Sequence, residues 1–578
     1  MNAQNPAGPQ GTEEADLHVL LHAVSTCSGL AVQQIITQKP HLLNMKGWHG
    51  HTPLHKACLS GDVNMVKLLC EFGADTNIRN DFQETPVHYA AKRGIPTLVN
   101  ILRYYGAKLD ARDTSGKTPV HNAAQTGSVY MLKYFEEQGF GFRDVDDSGQ
   151  TPLHCSCQFG HLEAFKFLLK KGRTDPSIQD KEGNTALHIC IREGYAHGTW
   201  LLIQYLGLSC LQVPNRQGLT AQDILEQFET SKKPGHKVIG PLLKELSKQP
   251  KNKKQKGPVG TWYFNLLMPT VLYALAILLA EFVIYDYQGV VFLFAVGFIV
   301  RTASRASHRL NHVSRWSNPL FAGTFAAGML HTMLLAYCKI MPAVPYDVFG
   351  SLEFYLIILL NIGQIYLYYQ LLKADPGVVT SSIADEKTGQ PMTLTQLCDS
   401  IAPLDQFCTD CEIVRMKTTK HCKLCERCYY RMDHHCLFLL KCIGYKNHAR
   451  FVWFIIMTVF NMGYFLVKAV MYSLVKYNAL TYSEIAIRMF QVEGWMISMI
   501  CLNIVSAIWA TNLIHYQLNV VSRGHTSYFQ RDVSTLTPME KVTNVINFLL
   551  GKPLILSDLD FNLPKKNLDL DRNYVHNV

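Results

Sequence analysis

The sequence predicts an all-α protein in two parts: a helical repeat solenoid, then a six-helix membrane domain with a cysteine-rich insert between its fourth and fifth spans. Three observations predict it. A tetrapeptide of the Thr-Pro-Leu-His type recurs five times in the first half, at intervals of 33, 33, 33 and 34 residues. Six apolar runs follow after residue 260. Between the fourth and fifth of these, seven cysteines and three histidines fall within 35 residues.

The two halves differ in composition. Mean hydropathy over the 578 residues is near zero, at +0.03, because a polar first half balances a second half rich in apolar runs. Residues 1–16 are polar and read as a disordered tail, without the apolar core of a signal peptide. Seventeen cysteines, many of them scattered through the repeats, then fit a reducing cytosol better than a disulfide framework. The net charge of +10 suits basic loops facing anionic lipid, and no nucleic-acid partner is required.

The repeats occupy residues 17–230. Thr52-Pro53-Leu54-His55, Thr85-Pro86-Val87-His88, Thr118-Pro119-Val120-His121, Thr151-Pro152-Leu153-His154 and Thr185-Ala186-Leu187-His188 are followed by a degenerate copy at Thr220-Ala221. That period and that tetrapeptide resemble ankyrin repeats, each a turn and two antiparallel helices. On this reading Ala57, Ala90 and Ala123 let paired helices approach closely, and Gly61, Gly94 and Gly127 end the first helix of a repeat. Residues 17–46 have the helical periodicity of an atypical cap. The histidines recur once per repeat rather than clustering, so they are structural rather than metal-binding.

Residues 231–260 form a basic linker ending in Lys251-Asn252-Lys253-Lys254-Gln255-Lys256, a juxtamembrane anchor. The apolar runs lie at about 263–285, 287–300, 319–338, 354–372, 451–475 and 494–514. They divide the rest into spans one to four (261–374), the cysteine-rich insert (375–450), spans five and six (451–516) and a carboxyl-terminal tail (517–578). His331, within the third run, is expected to face a neighbouring helix. Arg301, Arg305, Arg309 and Arg315 follow the second run, and eleven Lys or Arg lie in the loop 373–450. The opposite loops carry only Lys339, Lys476 and Arg488, so both termini and the cysteine-rich loop are expected on the cytosolic face. A cation channel with ankyrin repeats and six spans is excluded by position. The connection from Lys476 to Glu493 lacks a Gly- and acid-bearing filter, and the long insertion falls one loop too early.

Cysteines and histidines at two-residue separations are the ligands tetrahedral zinc needs, since two sulfurs on one tight turn reach the same ion. Eight of the ten residues fill two sites. His434 and Cys436 are left over, with Asp433 before them, and an acid, a histidine and a cysteine in a row suggest an activated nucleophile. A purely structural zinc ribbon has no use for these three.

The spacing from Cys408 through Asp433-His434-His435-Cys436 to Cys442 resembles the cysteine-rich domain of the DHHC protein S-acyltransferases. The preceding repeats resemble the ankyrin-bearing, huntingtin-interacting branch of that family. Asp375-Pro376-Gly377 equals a family motif, and Gly444, Asn447 and Phe451 fit another. The resemblance implies one zinc site from Cys408, Cys411, His421 and Cys428, and a second from Cys422, Cys425, His435 and Cys442. It also implies a thiolate at Cys436 that takes the acyl group of palmitoyl-CoA, with His434 as base and Asp433 orienting it. Cysteine-containing target proteins would be the acceptors and the bilayer the host of the acyl chain. In this branch an aromatic and an amide on early repeats grip target peptides; Tyr89 and Ser60 are the positions here. A multi-pass protein of the Golgi or a related endomembrane is implied. The chain departs from the family at Leu437-Phe438, where Pro-Trp is usual, and at Thr526-Ser527-Tyr528-Phe529, which lacks the acid of a Thr-Thr-x-Glu motif. Asn544 stands for the asparagine of a carboxyl-terminal motif. A tethered scaffold whose enzyme activity has lapsed is the alternative.

Overall fold

The computed structural model describes residues 9–228, 234–247, 259–282, 288–306, 317–343, 348–385, 388–400, 403–529, 536–552 and 554. The basic run at 251–256, with Arg309 and Arg315, lies outside the described residues. The chain divides into two compact units, residues 1–255 with 381–415, and residues 256–380 with 416–578.

In the first unit, helix pairs follow the repeat register. Pro53–Ser60 and Val63–Glu71 are succeeded by Pro86–Arg93 and Pro96–Tyr104, Pro119–Thr126 and Val129–Glu137, and Pro152–Phe159 and Leu162–Leu169. Ala186–Arg192, Ala196–Leu206 and Ala221–Gln227 continue the array, and Pro9–Ser25 with Gly29–Gln38 precede it. The first of these helices therefore starts inside the stretch expected to be a tail.

The tetrapeptide explains its own recurrence. Threonine caps the helix, proline takes the first helical position where its missing N–H is harmless, and histidine closes a capping box. The Thr85 backbone N–H donates to His88 Nδ1 at 3.1 Å, and Nε2 reaches the Lys117 carbonyl of the next repeat at 3.3 Å. His55 meets the Glu84 carbonyl in the same way at 3.1 Å, and His121 the Gln150 carbonyl at 3.2 Å. These rings are stitches between repeats, as expected. Ala57, Ala90 and Ala123 are buried where paired helices meet. Gly61 and Gly94 end their helices at φ of 86° and 77°, where a Cβ is disfavoured.

Burial lowers the pKa of His55, His88 and His121, that of His55 to about 4. The folded repeats thus refuse protons that the unfolded chain binds below about 6.5. Stability is complete above that value and is lost as pH falls toward 4, with His55 alone worth on the order of 3 kcal/mol. Hydrogen–deuterium exchange of the repeat helices in the full chain is expected to accelerate across that window.

Residues 381–415 pack on the second helices of the middle repeats. Glu137 accepts hydrogen bonds from the Leu394 and Thr395 N–H groups at 3.2 and 2.9 Å, at the start of helix Leu394–Asp399. Asn100 Nδ2 donates to Asp399 Oδ1 at 2.7 Å, and Leu394, Leu397, Cys398, Phe407 and Val414 join the apolar core of the repeats. The insert expected as one cysteine-rich block is thus shared between the units at Arg415.

Among the described residues of the second unit, five helical stretches are long and apolar enough to cross a membrane: Val259–Ala280, Leu320–Ala343, Leu352–Lys373, His448–Lys476 and Gly494–Ser522. The run expected as the second span coincides with the shorter apolar helix Gln288–Ala303. His331 is buried, its ring centroid 5.1 Å from Tyr273 and 6.0 Å from Trp495, so it faces neighbouring helices as expected. Between the last two long helices stands a short one, Tyr482–Val492, capped by Thr481 and Glu484. Lys339 and Lys476 converge on buried Glu493, which offsets the cost of burying its charge.

The all-α expectation needs one correction. The cysteine-rich region folds as short antiparallel strands, Phe407–Cys408 with Ile413–Val414 in the first unit, and Val378–Val379, Arg427–Tyr430 and Thr419–Cys422 in a three-stranded sheet in the second. His434–Cys436 pairs with Lys441–Ile443. Such hairpins follow from two-residue cysteine spacings, which demand tight turns, and are too short to show a period of two in sequence.

Candidate functional site

Asp375-Pro376-Gly377 turns the chain from helix Val348–Lys373 into the sheet. Asp375 Oδ1 accepts the Gly377 and Val378 N–H groups, each at 3.1 Å, and the Gly377 carbonyl accepts the Tyr430 N–H at 2.9 Å. Gly377 needs its φ of 98°, and a Cβ on Gly444 would meet the Pro376 oxygen at 2.6 Å. Asn447, fully buried, accepts the Gly444 N–H and donates to the Cys442 carbonyl. The turn and the asparagine fix the His434–Cys436 hairpin at the start of helix His448–Lys476.

Two groups of three cysteines and one histidine could each hold a zinc ion: Cys408, Cys411, His421 and Cys428, and Cys422, Cys425, His435 and Cys442. In the second group, His435 Nδ1 lies 3.3 Å from Cys425 Sγ and 3.6 Å from both Cys422 Sγ and Cys442 Sγ. Cys442 Sγ is 3.5 Å from Cys425 Sγ. A tetrahedron with Zn–S near 2.3 Å and Zn–N near 2.1 Å has edges of about 3.4–3.8 Å, so the donors fit that ion. Four protein ligands leave no open position, which is the mark of a structural metal. For the other group, Cys408 and Cys411 share one hairpin turn, while His421 and Cys428 are direct cross-strand partners.

Cys436 is in neither group. It is 4% exposed, its side chain packed with Leu371, Leu439 and Phe451, and it opens on a cavity of about 360 Å³. A second cavity, of about 260 Å³, lies among the apolar helices, and Phe325, Phe438 and Trp509 line both. Phe438, at the position of the usual tryptophan, stands 5.9 Å from Phe325 and 5.6 Å from Trp509 between ring centroids.

Asp433 is fully buried. His434 Nδ1 donates to its Oδ2 at 2.7 Å, and Gln517 Nε2, from the last long helix, donates to the same oxygen at 2.8 Å. The Ser527 N–H donates to Oδ1 at 2.8 Å, and the Thr526 hydroxyl to the Met432 carbonyl at 3.1 Å. Gln517 is itself held through Oε1 by His448 Nε2 at 2.7 Å. Burial raises the Asp433 pKa, but the hydrogen bond from His434 and its other donors outweigh it and leave the carboxyl ionised well below its usual range. Burial lowers the His434 pKa, and hydrogen bonds to Asp433 and Cys436 overturn this and raise it to about 9. An imidazole made that basic can take the proton of a neighbouring thiol.

Sequence reasoning missed Gln517 and His448. They lie just outside the apolar runs at 451–475 and 494–514, on the ends of helices His448–Lys476 and Gly494–Ser522 that the runs do not mark, so nothing in the sequence signalled them. Thr526-Ser527-Tyr528-Phe529 reaches Asp433 through a main-chain N–H, that of Ser527. Asn544 is buried and donates to the Ser522 carbonyl at 3.2 Å. On the repeats, Ser60 donates to the Ala57 carbonyl at 2.8 Å, and the Tyr89 hydroxyl meets His51 Nε2 at 2.9 Å and Asn80 Nδ2 at 3.0 Å. Tyr89 is 8% exposed, whereas Trp48, stacked on His49 nearby in sequence, is 84% exposed.

Residues buried around an aspartate–histidine pair, a thiol outside the metal groups and repeats in front define a class. Residues 402–532 match the DHHC palmitoyltransferase family model, and residues 20–113 and 98–180 match ankyrin repeats. The chain therefore carries a region that matches the DHHC palmitoyltransferase family behind regions that match ankyrin repeats. Among relatives, the chain is 35% identical over 94 residues to palmitoyltransferase AKR1 of Mortierella alpina, covering 16% of each chain. It is 27% identical over 190 residues to human palmitoyltransferase ZDHHC13, covering 32% of this chain and 30% of that one. Palmitoyltransferase ZDHHC17 of Rattus norvegicus is 27% identical over 113 residues, 19% of this chain and 18% of the relative. The aligned parts span about a sixth to a third of the length of these relatives.

Proposed function

We propose that the protein transfers a long-chain fatty acyl group, palmitoyl above all, from acyl-CoA to cysteines of target proteins through an acyl-enzyme on Cys436. The observation that carries this reading is a thiol outside both metal groups, beside a histidine made basic by a buried aspartate, at the mouth of an apolar cavity.

His434 takes the Cys436 proton, and Asp433 stabilises the imidazolium. The thiolate attacks the thioester carbon; the S–C bond to CoA breaks, and the leaving thiolate takes the proton from His434. A target cysteine then gives its proton to His434 and attacks the acyl-enzyme, releasing Cys436. Each step exchanges one thioester for another, so no ATP is needed. Zinc, when bound, holds the loops on which these residues sit. Gln517 and the Ser527 N–H keep Asp433 ionised and aimed. Fourteen buried methylenes at about 0.8 kcal/mol each exclude water as host for the chain, which supports the cavity beyond Phe438 as its place.

The orientation proposed is six spans, with Gln288–Arg305 as the second, both termini cytosolic, in the Golgi or a related endomembrane. The ankyrin array recruits targets, with Tyr89 and Ser60 on early first helices and exposed Trp48 beside them. The lapsed-scaffold alternative is disfavoured by Asp433, whose donors are all made.

The test is an autoacylation assay. A hydroxylamine-labile fatty-acyl label is expected on the wild-type chain and not on Cys436→Ser; a label of equal strength on both would overturn the reading. Gln517→Leu is expected to slow single-turnover acylation roughly tenfold, because Asp433 loses a charge-assisted hydrogen bond.

A further inference from the structure

In the first unit, a carboxylate beside the candidate zinc ligands is held by the repeats. Glu412 follows Cys411 directly and closes the Cys408–Cys411 turn, its N–H donating to the Cys408 carbonyl at 2.7 Å. The Cys411 N–H points at Cys408 Sγ at 3.5 Å, as in metal-binding turns of this kind. Glu412 has φ of 58°, a left-handed conformation that favours glycine. Glu426 occupies the same place after Cys425, with φ of 53°. Glu426 is exposed, whereas the Glu412 side chain is 4% exposed.

Four cations surround that carboxylate: Lys133 from helix Val129–Glu137, and Lys170, Lys171 and Arg173 from the turn after helix Leu162–Leu169. Arg173 grips both oxygens, Nη1 to Oε1 at 3.0 Å and Nη2 to Oε2 at 2.6 Å. Lys171 Nζ donates to Oε2 at 3.0 Å, Lys170 Nζ lies 3.3 Å from Oε1, and Lys133 Nζ 4.0 Å from Oε2. Lys170 also donates to the Asp410 carbonyl at 2.6 Å. Arg173 is fixed beforehand: it donates to both Glu136 oxygens at 2.6 and 3.1 Å, lies over the Phe167 ring at 3.9 Å and is 5% exposed. A rigid bidentate fork on a buried carboxylate fixes position as well as energy.

We infer that the ankyrin repeats hold one zinc-binding turn in place, with Glu412 as a positioning residue for Cys408 and Cys411. This rests on the proposed reading of those cysteines as zinc ligands. The repeats then have two roles, target recruitment and support of the metal loop, and the second belongs to the helices opposite the first-helix face that carries Tyr89. Removing the repeats removes the support too, so a truncation confounds the two roles and point variants separate them.

The experiment uses the full-length chain in detergent, with zinc content measured by elemental analysis and release to a chelating dye followed in time. Wild type is expected to hold about two zinc ions per chain. In Glu412→Gln the cations lose the carboxylate on which they converge, and Arg173 and Lys133 are left with Glu136. One of the two ions is expected to leave at least roughly tenfold faster, with the other unchanged. Lys171→Ala, whose side chain is 64% exposed, is the milder variant that retains the fold, and a smaller acceleration of the same single ion is expected. Release unchanged in both variants overturns the inference. Equal acceleration of both ions also overturns it, because that reports general loosening. A well-folded wild type without zinc overturns instead the metal reading beneath it.

Discussion

Cys436→Ala is expected to abolish acyl transfer, at least roughly a thousandfold, while zinc content and abundance stay at wild-type values. The thiol is the group that would carry the acyl chain, and among the described residues the other cysteines of the hairpin region fall in the two groups that could hold metal. Truncation removes one sulfur from the apolar cluster that includes Leu439 and Phe451, a small loss. Radiolabelled or alkyne-tagged acyl-CoA with the purified chain measures the first expectation, and elemental analysis the second. Loss of zinc in this variant, or undiminished transfer, would show that the nucleophile has been misassigned.

Cys422→Ser or Cys442→Ser is expected to do the opposite: release zinc, lower abundance and end activity together. Among the described residues, Cys422 and Cys442 sit in a small apolar cluster with Tyr429, Met432 and a few neighbours. Metal binding is expected to supply much of the loop's folding free energy, on the order of 10 kcal/mol per site at neutral pH. A serine in place of a thiolate leaves three ligands and a weak fourth. Strong chelation of the wild-type chain should reproduce the effect. A variant that keeps both ions and its abundance would remove Cys422 or Cys442 from the ligand set.

Local rules made much of this protein legible. The Thr-Pro-x-His copies mark helix starts because capping is a matter of four consecutive residues, and their register matches the observed helices. Ligand spacing marked the metal groups, since two sulfurs on one turn are neighbours in sequence before they are neighbours in space. Asp433, His434 and Cys436 are adjacent along the chain for the same reason. The apolar run at 287–300 is the shortest of the six, and its helix, Gln288–Ala303, is shorter than the five long ones.

The sequence by itself thus determined the repeats, the apolar helices, the candidate zinc ligands and the candidate nucleophile, all set by spacings of a few residues. Only the tertiary structure decided what surrounds Asp433. Gln517 and Ser527 lie 84 and 94 residues away, and nothing local announces that a glutamine in an apolar helix will meet a buried carboxylate. Only the tertiary structure decided, too, that Glu412 is buried while Glu426 is not, although the two share one local motif and one backbone conformation. Burial and counter-charge are properties of the assembled surface against which a residue is packed, and the cations that meet Glu412 lie some 240 residues before it on the repeats.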